Sequence, residues 1–177
     1  MKNGNKKLVT LILLLILVAA GTIFFARHKT TDEYQYQISQ NTGKITKTGS
    51  KGIALIESFE GFRSKPYKCP AGIPTIGYGN TFYPGGKKVS MGDTPINESQ
   101  ATDLLKDTLI TFEKYVDSFT RDDINQNQFD ALVSFAFNLG PANLKGSTLL
   151  KKVNANPNDS TIRNEFMKWT KAGGRTL

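Results

Sequence analysis

The feature that most constrains this chain is an uncharged run of nineteen residues, Leu8–Ala26. As an α-helix the run would be ~28 Å long, about the thickness of the hydrocarbon core of a bilayer. It has no polar face, so a buried helix of a globular domain is a poor interpretation. Three lysines precede the run, while Arg27 and Lys29 follow it. This charge bias favours an N-terminus inside the cell and export of the rest, and we predict a signal anchor or transmembrane segment over residues 1–26.

A cleaved signal peptide is the alternative for this segment. The processing site would then be Val18-Ala19-Ala20. The apolar run continues past that site through Phe25, which favours an uncleaved anchor. Because leucine and isoleucine dominate the run, we expect a stable tether rather than a releasable one.

Residues 27–50 are polar and poor in large aliphatic side chains, which predicts a linker. The single histidine, His28, lies there between Arg27 and Lys29 and is interpreted as a solvated residue beside the membrane. The single cysteine excludes an intramolecular disulfide within the chain and a zinc site built from several cysteines. A metal site of that kind is therefore not expected.

Net charge bears on the class of partner. The whole chain has a formal charge of +8, but residues 51–177 contain 16 basic and 13 acidic residues. The predicted domain is thus only mildly basic. Together with export, this argues against a nucleic-acid partner.

The first part of the domain at 51–177 predicts one helix and a small sheet. Ser50 is a candidate N-cap for a helix to Phe59 or Glu60, and Gly61 would end it. Three short extended pieces follow between glycines and prolines, at Tyr67–Cys69, Pro74–Tyr78 and Lys88–Ser90. They predict a small antiparallel sheet with tight turns.

The rest of the domain predicts helices. Asn97 with Gln100, and Asn125 with Gln128, have the spacing of capping boxes. The first would open a helix to Phe119, with a buried face of Leu104, Leu105, Leu109, Phe112 and Tyr115. The second precedes Phe129–Phe137, which is apolar nearly all round and predicts a central helix ending at Gly140-Pro141. Ser147 and Ser160 would open two further helices, giving an α+β fold.

Three residues in the first part of the domain could perform chemistry. Glu60 would lie at a helix C-terminus among apolar neighbours, and both conditions raise a carboxyl pKa and favour a general acid. Cys69 could act as a thiolate or orient a water, and Thr75 could position a water or a sugar oxygen. Taken singly, each also has a purely structural explanation: an exposed acid, a small buried side chain and a strand former.

The combination of motifs is more specific. Glu60-Gly61-Phe62-Arg63, Tyr67-Lys68-Cys69 and Pro74 to Thr81 (PTIGYGNT) closely resemble the phage-type lysozymes, glycoside hydrolase family 24. Glu60, Cys69 and Thr75 match that family's spacing of catalytic positions. Further matches are Asn125 to Leu132 with Phe137 to Gly140, Gly146 to Leu150, and Trp169 to Gly174.

The resemblance implies a lysozyme-like fold, with a small sheet lobe and a mainly helical lobe. It implies cleavage of the β-1,4 bond between N-acetylmuramic acid and N-acetylglucosamine in peptidoglycan, without a cofactor, by a monomer. Glu60 would protonate the leaving oxygen, and Asn138 matches a polar, sugar-facing position. The tethered domain would face the periplasm from the inner membrane, or be released there.

Two departures from the family pattern keep alternatives open. The second catalytic position is Cys69 rather than Asp, so the thiolate could attack directly or could hold a water with Thr75. The printed sequence stops at Leu177, where relatives continue into a final helix. A lytic transglycosylase and an inactive, membrane-anchored peptidoglycan-binding module are therefore the alternative functions.

Overall fold

The computed structural model describes residues 43–172 and 175–176, and the side chains of residues 43–169. The predicted anchor at 8–26, most of the linker and His28 lie outside the described residues. Within the described part of the chain, none of the helices combines the length and the hydropathy needed to span a bilayer.

The first helix, α1, covers Ser50–Glu60. The prediction that Ser50 is its N-cap was wrong: Gly49 is the N-cap, without a side-chain hydrogen bond, and Ser50 is the first helical residue. The prediction for Gly61 is confirmed. Its φ of 70° turns the chain out of the helix, and its N–H donates to the Glu57 carbonyl.

Two antiparallel strands follow, β1 at Arg63–Lys68 and β2 at Pro74–Gly77. Three residues of β1 lie between the pairs Arg63–Gly77 and Tyr67–Thr75, opposite a single residue of β2, so β1 contains a bulge. The predicted third strand was wrong. Lys88 makes only an isolated bridge with Phe82, across the short 3₁₀ turn Pro84–Gly86.

Two long helices form the centre of the helical lobe, α2 at Glu98–Phe119 and α3 at Gln126–Leu139. Both predicted capping boxes are present, with Asn97 and Asn125 each accepting from the N–H of the glutamine three residues later. Helix α3 is buried over Gln128–Ala136, as predicted for a central helix.

The predicted buried face of α2 was partly wrong. Tyr115 is 43% exposed, whereas Val116 is fully buried and Glu113 is also buried. The apolar face of α2 therefore runs from Ala101 through Leu105 and Leu109 to Val116.

Short elements close the helical lobe. Helices α4 at Pro141–Gly146, α5 at Thr148–Ala155 and α6 at Ile162–Met167 are followed by a 3₁₀ turn at Lys168–Thr170. Ser147 caps α5 as predicted, but Ser160 does not cap α6, which begins after Thr161. Two-residue strands, β3 at Lys171–Ala172 and β4 at Arg175–Thr176, pair with each other.

A segment before α1 is attached to the long helices, and we call Lys44–Gly49 the N-terminal strap. Lys44 pairs with carboxylates of Asp117 and Asp122 at 2.9 Å. The N–H of Thr48 donates to buried Glu113 at 2.8 Å, and that of Gly49 donates to buried Asp130 at 2.9 Å. Backbone contacts with the domain therefore begin before α1.

Candidate active site

Glu60 is the last residue of α1, next to the turn that leads into the sheet. The apolar spacing of α1 buries Ile56 one turn earlier, which draws the end of the helix against the core. Glu60 itself is half-buried. Burial raises the pKa of its carboxyl from 4.5 to about 7. At neutral pH a large fraction of Glu60 is therefore protonated, the state that a general acid requires.

The turn after β2 brings backbone close to Glu60. Ile76 and Asn80 exchange two backbone hydrogen bonds of 2.9 Å, which closes a tight turn. Gly79 in this turn has a φ of +93°, and a Cβ there would lie 3.4 Å from Glu60 Oε2. The Asn80 amide fixes the turn to α2, because it donates to the Leu104 carbonyl at 3.1 Å and the Thr108 hydroxyl at 2.8 Å.

Cys69 lies in the loop that joins β1 to β2. Its N–H donates to the Ile73 carbonyl at 3.0 Å, and its carbonyl accepts from Gly72 at 2.7 Å. Burial raises the pKa of the half-buried Cys69 thiol. Four hydrogen bonds to the sulfur lower this pKa by more than burial raises it, so the pKa lies below its ordinary value. They come from the loop N–H groups at Ile73, Ala71 and Gly72 and from the Thr75 side chain. The loop thus stabilises a thiolate.

Thr75 is buried within β2, directly across from Tyr67. Its hydroxyl donates to the Ile73 carbonyl at 2.9 Å and also interacts with Cys69. The hydroxyl has one proton, which it can donate either to the Ile73 carbonyl or to the Cys69 thiolate, and its oxygen can also accept from a water. The structure therefore brings Cys69 and Thr75 together.

Tyr67 lies close enough to Glu60 and Cys69 for their charges to affect it. The sequence motifs did not identify it as a candidate functional residue. Burial raises the pKa of its phenol, and the charges of Glu60 and Cys69 raise it further while that of Arg63 lowers it. Tyr67 thus lies within electrostatic reach of both Glu60 and Cys69. Its place across from Thr75 follows from the strand register and the bulge in β1, which the sequence pattern does not reveal.

Asn138 is the remaining sequence candidate. It is half-buried near the end of α3, and its amide donates to the Ser134 carbonyl of the same helix at 2.8 Å. The contact described for its side chain is therefore internal to α3. Across the described residues, no cluster of three or more histidine, cysteine or acidic side chains could hold a metal ion.

The chain is similar in sequence and fold to known proteins. The sequence profile of the phage lysozyme family matches residues 57–177. The chain is 46% identical over 129 residues to an endolysin of Bacillus phage B103, covering 70% of this chain and 46% of that protein. It is 40% identical over 129 residues to an endolysin of Salmonella phage P22, covering 73% of this chain and 87% of that protein. The chain thus spans about half the length of the first relative and most of the second.

A longer match and a solved structure complete the comparison. A SAR-endolysin of Haemophilus phage HP1 is 30% identical over 171 residues, covering 90% of this chain and 83% of that protein. A crystal structure of a P22 lysozyme mutant superposes with a TM-score of 0.66 at 37% identity, covering 73% of this chain and 87% of that one. The predicted lysozyme-like fold is confirmed, and the chain belongs to the phage lysozyme family.

Proposed function

We propose that this chain is a muramidase that hydrolyses the β-1,4 bond between N-acetylmuramic acid and N-acetylglucosamine, with Glu60 as the general acid. The observation that carries the assignment is the half-buried Glu60 carboxyl, whose pKa is raised to about 7 at the edge of the sheet lobe. A carboxyl group that keeps its proton at neutral pH can donate it to the leaving oxygen as the glycosidic bond breaks.

Cys69 and Thr75 supply the second half of the reaction. The thiolate and the Thr75 oxygen together hold a water, and the thiolate accepts a proton from that water as it attacks the anomeric carbon. The thiolate of Cys69 and the hydroxyl of Thr75 offer two adjacent polar partners to a bound water. Direct attack by the sulfur would not need the Thr75 hydroxyl, so the arrangement favours the water. Single displacement by water inverts the anomeric configuration. Asn138 is retained as a candidate sugar-binding residue in this proposal.

The test uses the full-length chain in a nonionic detergent with purified peptidoglycan. Wild type should release reducing muramic ends, and Glu60→Gln should lower the rate by ~10²–10⁴-fold. Glu57→Gln is the matched control, since this acid lies one turn earlier in α1 and already accepts from the Thr102 hydroxyl. Anhydro-muramyl ends would instead identify a transglycosylase, and binding without any cleavage would identify a binding module.

We also propose that residues 1–26 tether the domain at 51–177 to the inner membrane through the polar segment 27–50, with the domain in the periplasm. The last residues of that segment, Lys44–Gly49, are the N-terminal strap that is attached to the domain. The long uncharged run and its charge bias support this arrangement, and so does the name SAR-endolysin of the Haemophilus phage relative, which refers to a signal anchor. A fusion of residues 1–50 to a periplasmic reporter should be exported and should resist alkaline carbonate extraction. A soluble species that begins near Gly21 would show cleavage, and soluble full-length chain would show release.

A further inference from the structure

A shallow groove of about 430 Å³ lies along the bulged strand β1. Its lining is continuous in sequence, Phe62–Tyr67, and we call it the β1 groove. The bulge between Arg63 and Tyr67 displaces this stretch from regular pairing with β2. The chain before α2 holds it from the other side, because the N–H of Ile96 donates to the Ser64 carbonyl at 2.8 Å. The groove is therefore a fixed feature of the sheet lobe.

Two exposed cations line the β1 groove, Arg63 and Lys65. Over the described side chains, neither has a carboxylate oxygen within 4.0 Å. The Arg63 guanidinium carbon lies 5.8 Å from the centre of the Tyr67 ring. Stacking on an aromatic ring restricts the guanidinium while leaving its N–H donors available to an anion.

The sheet lobe around the β1 groove also has an excess of positive charge. Residues 61–96 contain five basic residues and one acidic residue, whereas residues 97–169 contain eight basic and ten acidic residues. An anionic ligand is thus attracted to the sheet lobe and repelled, weakly, by the helical lobe. Tyr67 lines the groove and is within electrostatic reach of Glu60, so the groove and the proposed acid share a neighbouring residue.

We propose that the β1 groove binds carboxylate groups of the peptide stems of peptidoglycan, with Arg63 and Lys65 as the residues that hold them. The inference rests on the proposed function, because it assigns a second part of the same substrate to a second surface. The glycan itself is neutral apart from its muramic side chains, whereas the stem peptides carry free carboxylates. Arg63 can bind a carboxylate through two parallel N–H donors, and Lys65 adds a point charge.

The experiment measures binding in the Glu60→Gln background, so that catalysis plays no part. The probes are soluble, fluorescently labelled peptidoglycan fragments with intact peptides, and the same fragments with their carboxyl groups converted to amides. The test variant adds Arg63→Gln and Lys65→Gln. The control adds Lys114→Gln and Lys151→Gln, which remove two equally exposed positive charges from the helical lobe.

The expected result is a Kd for native fragments that rises ~3–10-fold in the test variant and by less than about twofold in the control. The unmodified groove should also bind native fragments more tightly than amidated ones, and the test variant should lose this preference. Equal binding of both probes, or equal losses in test and control variants, would overturn the proposal. Failure of the proposed function has a different signature: wild type would leave the same native fragments uncleaved while binding them.

Discussion

Gly52 faces Asp130 so closely that a Cβ at Gly52 would lie 2.6 Å from the Asp130 carboxyl carbon. Asp130 cannot readily move away, because it is buried in α3 and accepts from the Gly49 N–H at 2.9 Å and the Gln126 amide at 2.8 Å. The helix that positions Glu60 therefore packs directly on the central helix at this point. Gly52 is required because a side chain would collide with Asp130, and not because its backbone conformation needs a glycine.

Gly52→Ala should destabilise the fold by ~1–3 kcal/mol, since overpacking outweighs the gain in helix propensity. Urea unfolding measures the change. Gly146→Ala is the matched control, because a Cβ there meets nothing within 4 Å, and it should stay within ~0.5 kcal/mol of wild type. Equal midpoints for the two variants would contradict the packing argument.

The stability of wild type should fall as the pH rises because of Glu60. Its folded-state pKa of about 7 is above the ordinary 4.5, so the folded state keeps a proton that the unfolded chain has lost. The contribution of this retained proton to stability is fully present below pH 4.5, the ordinary pKa of the carboxyl, and is lost as the pH rises through about 7. Glu60→Gln removes this dependence and should gain as much as ~3 kcal/mol relative to wild type between pH 4.5 and pH 8. Denaturation at both pH values measures it, and parallel behaviour of the two proteins would exclude a raised pKa.

The pH–rate profile should depend on two groups with opposite requirements. Activity should require a protonated Glu60, which is lost as the pH rises through about 7, and an ionised Cys69, whose lowered pKa extends activity to lower pH than an ordinary thiol would allow. Cys69→Asp should move only the acid limb to lower pH, because an ordinary aspartate ionises near ~3.9. Cys69→Ser should lose roughly tenfold or more in kcat/KM. An unchanged acid limb in the aspartate variant, or full activity in the serine variant, would rule out this role for the thiol.

Glu113→Ala should release the N-terminal strap. The substitution leaves the Thr48 N–H without its acceptor and removes the ion pair with Lys47 at 3.1 Å. The expected cost is ~1–3 kcal/mol. Limited trypsin digestion gives a second readout, with faster cleavage after Lys44 and Lys47 than in wild type. Asp107→Ala, an exposed position on the same helix, should leave both readouts unchanged, and equal digestion of the two variants would count against the attachment.

Local chemistry explains which parts of the fold could be predicted from the sequence. The capping boxes at Asn97 and Asn125 and the terminator Gly61 need only neighbours along the chain, and all three are confirmed. The face of α2 was predicted less well, because burial of Glu113 depends on Thr48, a residue 65 positions away. The same holds for Asp130, whose partner Gly49 is 81 positions away.

The candidate site divides in the same way. Cys69 and Thr75 lie in one hairpin, so their association follows from spacing. The contribution of Tyr67 depends on strand register and on the bulge in β1, which period-two alternation does not reveal. The approach of Gly79 to Glu60 depends on how Asn80 fastens its turn to α2, which is a tertiary contact.

The N-terminal strap also determines where mechanical load would enter the domain. Tension applied to the chain ahead of Lys44 would pass first to Asp117 in the last turn of α2 and Asp122 in the loop after it, and then to Glu113 and Asp130. Those attachments precede α1, so a pull on the preceding chain would be resisted by α2 and α3 before it reached Glu60. The geometry of the acid would thus be insulated from forces on the chain ahead of the strap.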